Sequence, residues 1–218
     1  MMEWKPFDWN VVVAAYWNRA ILTPNGIAKR LFKVDVGTGM EVFVPVDLLE
    51  PPQVKYEGIT VRVEDRRLVI TANQGSYQAL SKAMEMGRNA LESLPDTPVL
   101  AAGFNVRLKA VDRYEEIEQL VASPEIDGSL SDKGYEILDR MVSRRIRLQN
   151  TVFDKGVVTL ALDAQEETTK LELNFHRDSR DPRELVDWLN ASASDVGNAI
   201  ESVLASCGHI QYQEQEHV

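Results

Sequence analysis

The chain has little of what catalytic, disulfide-bonded or membrane proteins usually need. Its 218 residues include one cysteine, Cys207, which excludes an internal disulfide framework and indicates a reducing compartment, so we expect a cytoplasmic location. Two of the three histidines, His209 and His217, lie near the end of the chain, so a histidine-rich metal site is not expected. No apolar run approaches the roughly 20 residues that a membrane-spanning helix needs. The first residues lack the pattern of a secretory leader, so neither a leader nor a membrane partner is expected.

Acidic residues outnumber basic residues in this chain. There are 34 Asp and Glu against 24 Lys and Arg, and the formal net charge is −10. This excess disfavours general binding to polyanions, although a local basic surface can override the average. Because 44% of the residues are hydrophobic, the chain can bury a substantial core as one large domain or as two small ones.

One pattern occurs twice along the chain: two alternating strands joined by a polar turn, then a long amphipathic helix. It spans about residues 57–94 and again about residues 157–205. In the first copy, Ile59, Val61 and Val63 alternate with polar residues, as expected of a half-buried strand. The repeat predicts an α+β fold in which long helices pack on one face of an antiparallel sheet.

The repeat also predicts two related halves. Residues 1–112 form an N-terminal α+β half and residues 113–218 a C-terminal one, packed together as one compact unit. The order of elements resembles a ferredoxin-like sandwich with additions, which implies a split β-α-β unit in each half. The segments Ile21–Phe32 and Ala102–Val106 are similar to parts of uncharacterised bacterial proteins of about this length. That similarity implies a bacterial source and no particular activity.

Helical patterns also occur between and within the two copies. We predict helices at Tyr114–Ala122 and Asp132–Met141, separated by a loop at Ser123–Gly128. In the second copy, the sequence Asp181-Pro182 is a strong start signal for one long helix that runs to about Val203.

The sequence predicts no catalytic residue, no cofactor and no metal site. The stretch 37–39 lacks the lysine of a phosphate-binding loop, so a turn is the better interpretation. Cys207 and His209 alone are too few ligands for zinc. Acids at the turn around Asp163 and Glu167 are typical of a solvated hairpin, although they leave a metal-dependent hydrolase as a weaker hypothesis.

The predicted outward face of the sheet is unusually cationic for an acidic protein. If the alternation is correct, the polar residues Asn105, Gln149 and Asn174 share this face with the basic residues, and we predict a binding surface there. Its basic residues are Arg62, Arg107, Lys109, Arg145, Arg147, Lys170 and His176. An ordinary solvated sheet with mixed charges is the competing interpretation, since Glu64 and Glu172 lie on the same face.

Three functions are compatible with these patterns. The leading hypothesis is a non-enzymatic interaction or accessory subunit that binds a protein partner or a second copy of itself, because an open sheet must end in unpaired edges. The alternative is a nucleic-acid-associated protein that places the basic face against phosphates. The metal-dependent hydrolase is the third.

Overall fold

The computed structural model describes residues 4–35, 39–46, 50–110, 115–149, 151–165, 168–207, 210 and 212. These residues mix helices with an antiparallel sheet, which confirms the α+β class. The strands are β1 (Lys5–Pro6), β2 (Trp9–Ala15), β3 (Glu41–Phe43), β4 (Gln53–Tyr56), β5 (Ile59–Val63), β6 (Arg67–Ala72), β7 (Val99–Ala110), β8 (Arg140–Arg147), β9 (Val157–Ala164) and β10 (Thr169–Asp178). The helices are α1 (Pro24–Ile27), which continues as a π-helical turn (Ala28–Phe32), α2 (Tyr77–Ser93), α3 (Glu115–Val121), α4 (Pro124–Asp132), α5 (Pro182–Trp188) and α6 (Ala193–Ala205).

All of these strands belong to one antiparallel sheet. Their order is β3-β4-β5-β6-β2-β7-β10-β9-β8, with β1 paired to β7. β7, the longest strand with 12 residues, pairs with β2 on one side and with β10 on the other. The sheet therefore runs without a break through both predicted halves. The predicted boundary near residue 112 lies outside the described residues, so the division into two halves stays a prediction.

The apolar core lies between the sheet and the helices. Alternate side chains of each strand point toward the helices, and Val11, Ile70 and Phe104, on three different strands, are fully buried. α2 contacts β6 and β2, and its residues Leu80 and Met84 are also fully buried. The long amphipathic helix predicted for the first copy of the repeat is thereby confirmed. The described helices cover one face of the sheet and leave the other face open.

One split β-α-β unit is present in the first half. β6 and β7 lie on either side of β2 and both pair antiparallel with it, so they run parallel to each other and α2 connects them. In the second half, β10 is followed by α5 and α6, and the part of the chain that the structure describes contains no strand after α6. The description of both halves as ferredoxin-like is therefore not confirmed.

The long helix predicted for the second repeat is two helices. α5 begins as predicted, with Asp181 as N-cap and Pro182 at the first position, but it ends at Trp188. Ser192 then starts α6 through a capping box with Asp195. Because a serine hydroxyl that satisfies the first free N–H groups favours a new helix start, the prediction of one continuous helix was wrong.

The segment between the halves also differs from the prediction. α4 spans the stretch that was predicted as the loop Ser123–Gly128, and β8 begins inside the predicted helix Asp132–Met141. Pro124 occupies the first turn of α4, and Glu125 and Asp127 complement the positive end of the helix. These local start signals favour a helix at this stretch, so the prediction of a loop there was wrong.

Candidate functional site

The open face of the sheet carries all seven residues of the predicted basic surface. Register determines this placement: Arg145 on β8 faces Thr159 on β9, which in turn faces Asn174 on β10, so the three side chains share one row. The same alternation places on this face Arg62, Arg107, Lys109, Arg145, Arg147, Lys170 and His176. Their use in binding stays a prediction.

Acidic neighbours pair with the arginines near the centre of this face. Arg107 forms ion pairs with Asp8 and with Glu172, the latter at 2.8 Å. Burial lowers the pKa of the Arg107 guanidinium, but hydrogen bonds and charges from Glu172 and Asp8 outweigh that effect, so its pKa is raised. Arg62 pairs with Glu64 at 3.0 Å. These arginines are therefore neutralised within the protein and have little charge to offer a polyanion.

The other cations of the face form no ion pair within the part of the chain that the structure describes, although Lys170 lies opposite Asp163 across β10 and β9. Lys109 lies over the ring of Phe7, 5.9 Å from its centroid, and Lys170 donates to Oε1 of Gln165 at 3.1 Å. Arg147 forms no ion pair with any residue that the structure describes. The least compensated positive charge of the face thus lies toward β8, at the end of the sheet.

A chain of hydrogen-bonded amides crosses the centre of the open face. Asn174 donates to Oδ1 of Asn105 at 2.5 Å, and Asn105 donates to Oδ1 of Asn10 at 2.8 Å. Asn10 in turn donates to the carboxylate of Asp8 at 3.1 Å. Each amide therefore uses its N–H group toward the next residue, and the donors run in one direction across β10, β7 and β2.

His176 extends this chain toward β8. Its Nδ1 lies 3.0 Å from Oδ1 of Asn174, and its Nε2 lies 3.4 Å from Nη2 of Arg145. Because the Asn174 oxygen can only accept and the guanidinium can only donate, the arrangement assigns the proton of the neutral ring to Nδ1. The chain therefore begins at a cation, Arg145, and ends at a carboxylate.

A groove of about 430 Å³ lies on this face over β5, β6, β2 and β7. Its walls include the side chains of Asn10, Thr60, Thr71, Asn105 and Arg107. These groups can hydrogen-bond to a polar ligand. Because Arg107 is already paired with two carboxylates, the groove has no strong preference for an anion.

β8 forms the end of the sheet among the described residues, and its outer side has no strand beside it. Met141 is 69% exposed and Ile146 is 42% exposed. On the helix side, an apolar cavity of about 280 Å³ lies between β8, β9, α3 and α6. Val142, Ile146 and Leu160 line it, together with Arg144 and Cys207. Within the part of the chain that the structure describes, this end of the sheet combines a strand edge that has no neighbouring strand, apolar surface and positive charge.

Cys207 and Asp163 are the described members of the groups considered for nucleophilic or metal chemistry. Cys207 is half-buried, and burial raises the pKa of its thiol, which disfavours the nucleophilic thiolate. Among the described residues, no group of three or more His, Cys, Asp and Glu side chains is placed to hold a metal ion. Asp163 accepts a hydrogen bond from Gln165 at 2.9 Å, as expected at a hairpin turn. Glu167 and His209 lie outside the described residues.

Asn105 was predicted on this face from the sequence, whereas Asn10 and the apolar cavity beside β8 were not. Asn10 and Asn105 are only 6% and 7% exposed, although they lie on the open face. A signal existed for Asn10, because it is the one amide in the otherwise apolar run from Trp9 to Ala15. The apolar cavity beside β8 had no such signal, since it depends on how α3 and α6 meet strands that are distant in sequence.

The described residues include no helix that is both long and apolar enough to cross a membrane. The chain matches no protein-family model and no curated protein at a significant level.

Proposed function

We propose that this protein is a non-enzymatic interaction subunit, and that it binds a protein partner along the edge strand β8. The observation that carries the proposal is the state of this edge: eight residues of strand with no neighbour on the outer side among the described residues. Such a strand offers a row of backbone donors and acceptors that an added strand can satisfy. The free Cys207 is compatible with a reducing, cytoplasmic setting.

The chemistry of β8 specifies the kind of partner. The strand contains four arginines and no acid, in a chain whose net charge is −10. Among the residues that the structure describes, only Arg140 of these four has a carboxylate partner, Asp127 at 2.9 Å. An acidic partner segment can therefore compensate the remaining arginines, whereas a basic segment is repelled.

The cavity beside β8 adds an apolar requirement. Its lining residues Val142, Ile146 and Leu160 face the helix side of the sheet, directly next to the edge. An apolar side chain carried by the partner can be buried there, while the charged residues of the same segment meet arginines. The partner segment therefore contains both acidic and apolar residues.

Nucleic acid is the second candidate partner. It is favoured by Arg145 and Arg147, which have no carboxylate partner among the described residues and lie on the same open face as Lys109 and Lys170. The pairing of the central arginines argues against nucleic acid, because these arginines already bind acids of the chain. Arg107, for example, pairs with Glu172. We therefore rank it below a protein partner.

Site-specific photocrosslinking in the native host tests the proposal. A photoreactive amino acid replaces Ile146 in one variant and Leu100 in a matched control, since both side chains are 42% exposed. We expect a discrete crosslinked protein band at position 146 and none at position 100. A band that disappears when Arg144 and Arg145 are changed to Glu supports recognition by charge. Failure of position 146 to crosslink any protein would contradict the proposal.

A further inference from the structure

Residues 122–139 form a surface arm between α3 and β8. The arm contains α4, and none of its residues is buried. It nevertheless carries four large apolar side chains that are exposed: Ile126 at 60%, Leu130 at 36%, Tyr135 at 62% and Leu138 at 58%. Such side chains usually lie in a core, so a run of them on a surface indicates that a partner covers it.

The arm and the strand that follows it carry opposite charge. The arm contains five acids and one lysine, whereas β8 contains four arginines. One pair is already formed within the chain, between Asp127 and Arg140. The other acids of the arm, Asp132 and Glu136 among them, are exposed, as are the other arginines of β8.

Direct pairing of β8 with a second β8 does not fit these charges. In an antiparallel pair of this strand, arginines would lie opposite or diagonal to arginines, and like charges across strands are destabilising. Charged side chains on an edge strand are a common protection against that pairing. The surface that fits β8 is acidic and apolar, and the arm has both properties.

We propose that two copies of this chain form a symmetric dimer by exchanging arms, so that each arm packs along β8 and over the apolar cavity of the other copy. This inference rests on the proposed function, because it names the partner that occupies the β8 edge. The apolar side chains of the arm meet Val142 and Ile146 on the helix side. Its acids other than Asp127 meet Arg144 on that side and Arg145 on the open side of the same edge strand. The two contacts are equivalent by symmetry, so the assembly closes as a dimer.

Complementary charge reversal tests the exchange. An edge variant carries Arg144→Glu and Arg145→Glu, and an arm variant carries Asp132→Arg and Glu136→Arg. Each variant alone should dimerise at least tenfold more weakly than the natural chain, because its substituted side chains then face side chains of the same charge in the other copy. An equal mixture of the two should restore the dimer, because each arm then meets an edge of opposite charge.

Sedimentation velocity over a wide range of concentrations measures these states against the mass of one chain, 24.6 kDa. Arg180→Glu with Arg183→Glu is the matched control, since it changes exposed arginines outside β8 and should leave the dimer intact. Circular dichroism verifies that each variant is folded. A natural chain that remains at one-chain mass throughout, or variants whose mixture does not restore the dimer, would overturn the exchange.

The two proposals fail in different ways. If the natural chain is monomeric but position 146 crosslinks another protein, the arm exchange is wrong and the β8 interaction subunit stands. If position 146 crosslinks no protein at all, both are wrong.

Discussion

Asn105 donates a hydrogen bond to Asn10 across β7 and β2, at 2.8 Å, and both side chains are more than nine-tenths buried on the open face of the sheet. A buried amide is stable only while its hydrogen bonds are formed. Asn105 also accepts from Asn174 at 2.5 Å, so it joins three strands from both predicted halves. The hydrogen bonds of these amides therefore hold neighbouring strands together at the centre of the sheet.

Asn105→Ala should destabilise the fold by about 1–3 kcal/mol, because it leaves the Asn10 oxygen and the Asn174 amide without their partners. Urea unfolding measures the change. In a double-mutant cycle with Asn10→Ala, the second substitution should cost less once the first is present. If the two substitutions lower the free energy of unfolding by strictly additive amounts, the two amides are not coupled.

The packing of α2 on the sheet predicts a larger loss of stability from a core substitution. Leu91 is 1% exposed against the sheet, and Leu91→Ala should lower the free energy of unfolding by about 2–5 kcal/mol. Leu100→Ala removes the same atoms from a side chain that is 42% exposed, and should change stability by less than about 1 kcal/mol. Equal losses for the two variants would mean that α2 does not pack as described.

The capping box of α6 predicts a dependence on pH. Hydrogen bonds from the Ser192 hydroxyl and backbone N–H lower the pKa of Asp195, against a smaller opposing effect of desolvation. A carboxylate with a lowered pKa stabilises the fold above its ordinary value of about 4 and loses that effect as the pH falls through the lowered pKa. The natural chain should therefore be more stable than Asp195→Asn at pH 7, and the difference should shrink below about pH 4. Urea unfolding at several pH values tests this, and a difference independent of pH would contradict it.

Much of the fold follows from local patterns in the sequence. Alternation in β5, with Ile59 and Val61 inward and Arg62 outward, predicted both the strand and its exposed face, because the two-residue period is a direct consequence of backbone geometry. The same reasoning placed the seven basic residues on one side. The pairing of Arg62 with Glu64 needed only neighbours on one strand, and it could have been foreseen.

Other features depend on contacts between distant parts of the chain. The pairing of Arg107 with Glu172 requires β7 beside β10, which no local pattern specifies. The position of β8 at the end of the sheet and the cavity beside it depend on the same strand order. The break between α5 and α6 was local, at Ser192, but it was hidden because Leu189 and Val196 keep a helical spacing across it.

Arg62 and Arg107, near the centre of the open face, are paired with acids of the chain. We therefore predict weak or no binding of this face to nucleic acid. At about 50 mM salt, where phosphate contacts are strongest, we expect gel-shift assays with duplex DNA and RNA to show no retention of the natural chain. Retention that falls steeply with salt, and that is lost on Arg145→Glu with Arg147→Glu, would contradict this expectation and favour the second candidate. The same reversal at Arg180 and Arg183 is the control.

The single cysteine gives a direct test of where the arm lies. Cys207 lines the cavity beside β8, and the chain has no other cysteine. In the arm exchange, Leu130→Cys or Leu138→Cys brings a second thiol to the cavity of the other copy. Since a disulfide requires Cα atoms within about 7 Å, oxidation should yield a dimer linked between an arm position and Cys207. Mildly alkaline buffer is needed, because burial raises the pKa of the Cys207 thiol.

Two controls make this result specific to the exchange. Leu100→Cys places an exposed thiol away from the arm, and it should not form a linked dimer with Cys207. Adding Cys207→Ser to each arm variant should abolish the linked dimer, because the arm thiol then has no partner in the cavity. A dimer that persists without Cys207 would instead join two arms to each other. That result would place the arms side by side at the symmetry axis and would contradict their packing over the cavity.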